Sequence, residues 1–373
     1  KDLRQIVFDE FGPYSAPSGS TSTSPCKRCN CNEEKTVISC QGQEITQSEF
    51  EEMVPKLSKK VKILDFSANS IETIAANQFS DLTNLIGLDL SYNTIETFED
   101  NSLDGLSNLI SLLIDGNSFT SLPAALLADL TLLEELSAAN NGAWTGAIPS
   151  GWLSTNTELQ FLSIFGSFYN ELPAGLFTAT TKLFLLSTVV SGLDSSGISW
   201  PSGVLDPLVN LQQLHVQLNG PPCSYNQVPD AVTTGVAKMT ELRAFVLWGC
   251  QEVTELPKKF FDANTKLELV YLFNNGITSF DKNLFQTSEG NLQMLLVDVN
   301  NHTTQCAYAA RSDQLYPPFN SRPEVLADET SYVCNEVCGE ICPMIQKAKR
   351  KNPGVYVLYG NFREQTIDTG FGA

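Results

Sequence analysis

Residues 85–108 read LIGLDLSYNTIETFEDNSLDGLSN, in which Leu85, Leu88, Leu90 and Asn93 fall in the order L-x-x-L-x-L-x-x-N. The same order returns along most of the chain. Its starts at Val61, Leu85, Leu109 and Leu133 are each 24 residues apart, and those at Leu159, Leu183, Leu211, Leu242, Leu267 and Leu292 follow at steps of 26, 24, 28, 31, 25 and 25. One such coil cannot bury its own apolar edge, so it folds only when stacked between similar coils. Leu85, Leu88 and Leu90 are expected to point inward from a short strand. The amide of Asn93, with two donors and an acceptor, can satisfy backbone groups turned inward at the corner. A length of 373 residues would ordinarily suggest two or three domains, but stacked coils share one continuous core and override that estimate.

This order and period are the signature of a leucine-rich repeat. The expected fold is α/β: a leucine-rich repeat solenoid with a curved parallel β-sheet on its concave face, an irregular or short helical convex side, and disulfide caps. Ile95, Phe98 and Leu103 are expected to close the far side of the coil that begins at Leu85. Phe79, Phe177 and Phe285 recur there as in the typical extracellular subclass, while Thr145-Gly146-Ala147-Ile148-Pro149 resembles the T/S-G-x-I-P of plant-type repeats. The expected organisation is an N-terminal arm and Ser/Thr/Pro tether over 1–25, a cysteine-rich cap over 26–60, about ten repeats over 61–300, and a cysteine-containing cap and tail over 301–373. The middle departs from the pattern: Ser167, Ser191 and Cys250 stand at asparagine positions, and the stretches around Trp144, Trp200 and Cys223 carry extra residues. Insertions in a solenoid become loops on its rim, often beside the binding face.

Ten cysteines, grouped near the two ends and in one central pair, fit a disulfide framework and an oxidising compartment. Cys26, Cys29, Cys31 and Cys40 have the spacing C-x2-C-x-C-x8-C. Clustered cysteines can also hold zinc, but here the repeat follows directly. The spacing and position resemble the N-terminal cap of extracellular leucine-rich repeat proteins such as Toll-like receptors, slit proteins and small proteoglycans. That resemblance implies bridges Cys26 to Cys31 and Cys29 to Cys40. Cys223 and Cys250 fall on one corner of successive coils, which predicts a bridge between them. Cys306, Cys334, Cys338 and Cys342 are expected to close the far end, although the C-x-C pair that opens familiar C-terminal caps is absent, and four cysteines allow three pairings.

A charge of -19, from 23 basic and 42 acidic residues, repels nucleic acid and anionic membrane surfaces. No run of eighteen apolar residues occurs, which argues against a transmembrane helix in this sequence. The chain starts at Lys1, as it would after removal of a signal peptide or in a trimmed chain. Asn301-His302-Thr303 is the sole N-x-S/T sequon and marks Asn301 as a candidate glycosylation site. Only His215 and His302 could act as histidine acid-base groups, neither lies in a nucleophile or metal motif, and no G-x-S-x-G, H-E-x-x-H or P-loop occurs. The reading is therefore of a protein that is not an enzyme and has no cofactor and no dedicated metal site.

The surface that carries information is the outward side of the strands. Asp65, Asp89 and Asp115 make its early part acidic, and Asp65 and Asp89, as direct neighbours on adjacent strands, call for a cation, whether a partner's lysine or arginine or a calcium ion. Further along, Phe161, Phe165, Phe184, Val189, Trp248, Tyr271 and Phe273 fall on outward positions. An apolar area there marks a protein contact, unless loops or the C-terminal segment fold over it. Residues 1–14 crowd Ile6, Val7, Phe8, Phe11 and Tyr14 together, which predicts a docking arm that lies across its own cap or enters a neighbouring molecule. The function expected is non-catalytic binding of a protein or peptide by a secreted or cell-surface module. The alternatives are a structural subunit that assembles with its own copies through the arm, and the ectodomain of a receptor.

Overall fold

The computed structural model describes residues 3–12, 22–167, 172–191, 200–219, 227–249, 252–273, 275–277, 281, 283–288, 291–292, 294–298 and 305–309, with backbone alone at 190–191, 219, 273, 294–298 and 305–309. The chain forms two compact units, residues 1–189 and 190–373.

The first unit begins with helix α1 (Leu3–Phe11), which ends at Gly12, where φ is +77° and Pro13 follows. Glycine takes that left-handed conformation without steric cost, and proline cannot continue a helix. The short helix α2 (Pro25–Arg28) and the antiparallel pair β1 (Asn30–Cys31) and β2 (Val37–Ser39) form the cap. Disulfides Cys26–Cys31 and Cys29–Cys40 tie it, in the pairing that the resemblance implies. Helix α3 (Gln47–Met53) opens on a capping box, in which the Thr46 side chain accepts from the Glu49 amide while Glu49 reaches back to the Thr46 amide. Its buried Phe50 packs edge-on against Phe66 at 5.1 Å and closes the first coil from above.

A parallel ladder follows: β3 (Ile63–Asp65), β5 (Gly87–Asp89), β7 (Ser111–Leu113), β8 (Glu135–Ser137), β9 (Phe161–Ser163) and β10 (Leu185–Ser191) pair in that order, with β2 joined to β3. On the far side the short strands β4 (Thr73–Ile74) and β6 (Thr97–Phe98) pair in parallel. Each strand opens two residues after a coil start, and Val61, Leu85, Leu109, Leu133, Leu159 and Leu183 are fully buried, as the period requires. Aromatic side chains fill the space between ladder and far side, from Phe98 through Phe119 and Trp144 to Trp152, at ring separations of 5.5 to 5.8 Å.

The corner asparagines do what their chemistry allows. Asn93 Nδ2 donates to the carbonyls of Phe66, Leu90 and Ser91, and its Oδ1 accepts from the Ile71 amide at 3.1 Å. Asn69 and Asn117 repeat the arrangement one coil either side. Each side chain thus stitches two coils together, pairing one amide and three carbonyls of the backbone. At Ser167 the shorter hydroxyl keeps a reduced version, donating to the Ala138 carbonyl at 3.2 Å and accepting from the Asn141 amide at 3.3 Å.

In the second unit β11 (Gln213–Asn219), β12 (Ala244–Trp248), β13 (Leu269–Phe273) and β14 (Met294–Asp298) run parallel, and β15 (Gln305–Ala309) returns antiparallel along β14. The reversal gives the last parallel strand a backbone partner on its outer edge, where an open row of amides and carbonyls would invite aggregation. Helix α4 (Asp230–Val236) occupies the inserted stretch before β12, with Ala231, Val232 and Val236 buried. Phe245, Phe260, Phe261 and Phe285 form the aromatic centre of this unit, with Phe261 stacked on Phe285 at 5.5 Å.

Candidate protein-binding face

Register fixes which residues share the outward face of the first unit. Ser39, Asp65, Asp89 and Leu113 form one column across β2, β3, β5 and β7, beside a second made of Val37, Ile63, Gly87 and Ser111. Helix α1 lies on these columns. Its Leu3, Ile6 and Val7, spaced as one helical face, pack with Val37, Ile63, Ile86 and Leu113, and Leu3 is buried. Gly87 makes room for it: a Cβ there would stand 2.5 Å from Leu3 Cδ1, so any side chain at this position would push the end of the leucine aside. Burying a leucine in this way stabilises the contact by roughly 2 kcal/mol.

Arg4 then enters the acidic column. Nη2 donates to Asp115 Oδ2 at 2.7 Å and to Ser91 Oγ at 3.1 Å, and Nε donates to Asp89 Oδ2 at 3.3 Å. The guanidinium carbon sits 5.8 Å from the centre of the Tyr92 ring, within range of a cation–π contact. Burial opposes the Arg4 charge, but Asp89 and Asp115 more than offset it and raise its pKa. Tyr92 holds φ at +54°, a costly conformation for an aromatic residue, whereas the equivalent positions of the next three coils carry Gly116, Asn140 and Gly166.

The carboxylates are buried. Burial pushes the Asp89 carboxyl up to about 7, with Arg4 pulling it down and Asp65 pushing it further up. Burial also raises Asp65, against hydrogen bonds from Ser39 Oγ at 2.6 Å and the Ser67 amide at 2.9 Å. Asp115 Oδ1 accepts from the Ala139 amide at 2.8 Å and from the Ser137 hydroxyl. The cation that the stacked aspartates call for is thus an arginine of the same chain. Among the described residues no group of three or more histidine, cysteine or acidic side chains could hold a metal ion. The arm lies on the first coils, with Val37 of the cap beside it, and its apolar contacts are with these residues rather than with the apolar residues further along.

Those apolar residues differ among themselves. On the first unit Phe161 and Phe165 are half-buried, Val189 is buried, and Phe184 is 38% exposed. On the second unit Trp248 is half-buried, Tyr271 is buried and its phenol held above its usual range by that burial, and the side chain of Phe273 lies outside the described residues. His215, on the outward face of β11, is buried and its imidazole pushed down to about 4. Cys223, Cys250, Cys334, Cys338, Cys342, Asn301 and the side chain of Cys306 also lie outside the described residues. Sequence reasoning missed Arg4, Gly87 and Tyr92. The signals were there: an arginine beside the Leu3, Ile6, Val7 stripe, and a glycine at a strand position where other coils carry Ile63, Ser111, Glu135 or Phe161.

Residues 59–119 match the family model described as Leucine rich repeat. No curated protein matches the chain. Among solved structures it resembles a chain of the Toll–Spatzle complex of Drosophila, at 20% identity and a TM-score of 0.54, over 67% of this chain. That likeness covers 31% of the Toll–Spatzle chain, so this protein spans about a third of its length. An internalin of Listeria monocytogenes is similar at 19% identity and a TM-score of 0.49, over 69% of this chain and 72% of the internalin. No helix among the described residues is long and apolar enough to cross a membrane. With its repeating ladder, its asparagine corners and the two bridges of its first cap, the chain has the fold of a leucine-rich repeat solenoid, and residues 59–119 carry the repeat's own sequence pattern.

Proposed function

We propose that this protein is a non-catalytic, extracellular binding module that holds a protein or peptide against the outward face of its ladder and the adjoining rim loops. The observation that carries this reading is α1 itself. A short helix from outside the repeat is held on that face by apolar packing and by an arginine shared between two carboxylates. A face that holds one helical segment through such contacts has the chemistry of a helix-recognition surface. Two disulfides in the first cap support an oxidising compartment, and hence a secreted or cell-surface location. The contact residues of the reading are Asp65, Asp89 and Asp115 with Phe161, Phe165, Phe184 and Val189 on the first unit, and Trp248, Tyr271 and Phe273 on the second. The test is a selection of displayed extracellular protein fragments on the immobilised full chain, repeated with Phe184→Ala and Trp248→Ala. Selected binders should be weakened by at least one of these substitutions while the melting temperature stays within a few degrees. Binders indifferent to every outward substitution would contradict the reading.

A further inference from the structure

The contacts of α1 describe a ligand as well as an arm. Its anchoring partners are mostly of the repeat, Gly87 with Ile63, Ile86 and Leu113, and Asp89 with Asp115, Ser91 and Tyr92, with Val37 of the cap beside them. Nothing in that contact set depends on the helix being covalently joined to the ladder it lies on. The hold is also narrow: of its nine residues only Leu3 is buried, and Phe8 is 53% exposed. A nine-residue helix has little stability of its own, so it is formed where it docks and lost where it does not. Beneath it the coils keep a socket: a strand glycine that makes room for a leucine, and a tyrosine ring beside the guanidinium at a corner position where Ala68, Gly116, Asn140 and Gly166 of the neighbouring coils have no large side chain to offer.

We propose that this socket is the receptor for an amphipathic helix of a partner protein presenting leucine followed by arginine, with apolar residues three and four positions after the leucine, and that α1 is a tethered occupant which such a helix displaces. This rests on the reading of the outward face as a binding surface and names its ligand class and its gate. Charge complementarity selects the ligand: Arg4 meets Asp89 and Asp115, with Asp65 beside Asp89, so a helix with a neutral or acidic residue at that position leaves buried carboxylates without a cation. The arm competes as an intramolecular ligand, and a short covalent connection gives such a ligand an effective concentration on the order of millimolar. An incoming helix therefore binds the wild-type chain more weakly than its contacts alone would allow.

The experiment uses the full chain and a fluorescent peptide with the sequence of residues 1–12, followed by anisotropy. Three proteins are compared: wild type, the double substitution Leu3→Glu with Arg4→Glu, which releases the arm and leaves the socket intact, and the same double substitution with Gly87→Phe, which fills the socket. The released chain should bind the peptide at least tenfold more tightly than wild type. Gly87→Phe, and separately a peptide carrying Arg4→Glu against the unfilled socket, should abolish binding. The altered peptide makes the result independent of whether Gly87→Phe folds. Equal affinity for wild type and released chain would overturn the gate. Peptide binding that survives both Gly87→Phe and the Arg4→Glu peptide would overturn the socket, as would no binding to the released chain at about 1 mM, the scale of the tether's effective concentration. Either failure leaves standing the binding of selected fragments through Phe184 or Trp248, which tests the broader reading by itself.

Discussion

Replacing Asp89 with asparagine should make the first unit more stable above neutral pH and leave it nearly unchanged in acid. The carboxyl is buried on the outward column with Asp65 beside it, and its pKa is pushed up to about 7. In the unfolded chain the same group titrates near 3.9. Between those values the folded state keeps a proton that the unfolded state has released, so stability falls as pH rises through the window from about 4 to about 7. At 1.36 kcal/mol per unit over about three units, the ionised form costs about 4 kcal/mol relative to the protonated one, as an order of magnitude. Asparagine resembles the protonated acid in shape and charge and keeps one acceptor for the Ser91 amide, which Asp89 Oδ1 now accepts at 2.8 Å. Its amide faces Arg4 poorly, which adds a penalty that does not vary with pH. The assay is urea unfolding of wild type and Asp89→Asn, followed by a probe in the first unit, at half-unit steps from pH 4.5 to 8. The difference between the two proteins should grow in favour of the variant by about 1.4 kcal/mol per unit through pH 5 to 7 and then level off. Taking the difference removes the titration of every group that does not interact with Asp89, and Asp65 beside it is the neighbour whose titration moves with the substitution. A flat difference, or a variant that loses stability relative to wild type as pH rises, would show that Arg4 holds Asp89 ionised and would refute the reasoning.

Three further outcomes follow from the same contacts. His215 is held neutral by burial with its pKa pushed down to about 4, so the unfolded chain takes up a proton first as pH falls. The second unit should therefore lose about 3 kcal/mol between about pH 6.5 and 4, and His215→Gln, compared by urea unfolding, should remove that loss. Asn93→Leu leaves the Ile71 amide and three carbonyls without their partner. It should cost roughly 3 kcal/mol or more in denaturant unfolding, against under about 1 kcal/mol for the exposed Asn84, which makes one bond to the Lys59 carbonyl. Thiol titration of the denatured, unreduced protein should find no free cysteine, and peptide mapping should join Cys223 to Cys250; two reactive thiols at those positions would refute that bridge.

The fold was legible because the repeat writes the same instruction many times. A misplaced leucine in one coil, or serine for asparagine at Ser167, is outvoted by its neighbours, and the strand still opens two residues after Leu159. The cap was legible through resemblance: the spacing and position of its four cysteines match known N-terminal caps, and the bridges Cys26–Cys31 and Cys29–Cys40 are those the resemblance implies. The site was legible only in part. Stacking puts Asp65 beside Asp89 and so calls for a cation, but the cation comes from Arg4, 85 residues from Asp89 in the chain. Periodicity carries no information about such a contact, since α1 stands outside the period. Gly87 and Tyr92 were hidden for the opposite reason, lying at variable positions of a coil where any residue satisfies the pattern. Outwardness was legible for Tyr271 and Val189, but exposure was not, because burial depends on what lies over the strand.

Amide hydrogen exchange across α1 in the full chain tests the central claim most directly, that the outward face of the ladder holds a helical segment. The amides from Val7 to Gly12 have helical partners only while α1 is formed, as in the 2.7 Å bond from the Gly12 amide to the Phe8 carbonyl. In the full chain they should exchange at least tenfold more slowly than in an isolated peptide of residues 1–12, and Arg4→Glu should return them to the peptide rate. Exchange in the wild-type chain at the rate of the free peptide would contradict the account.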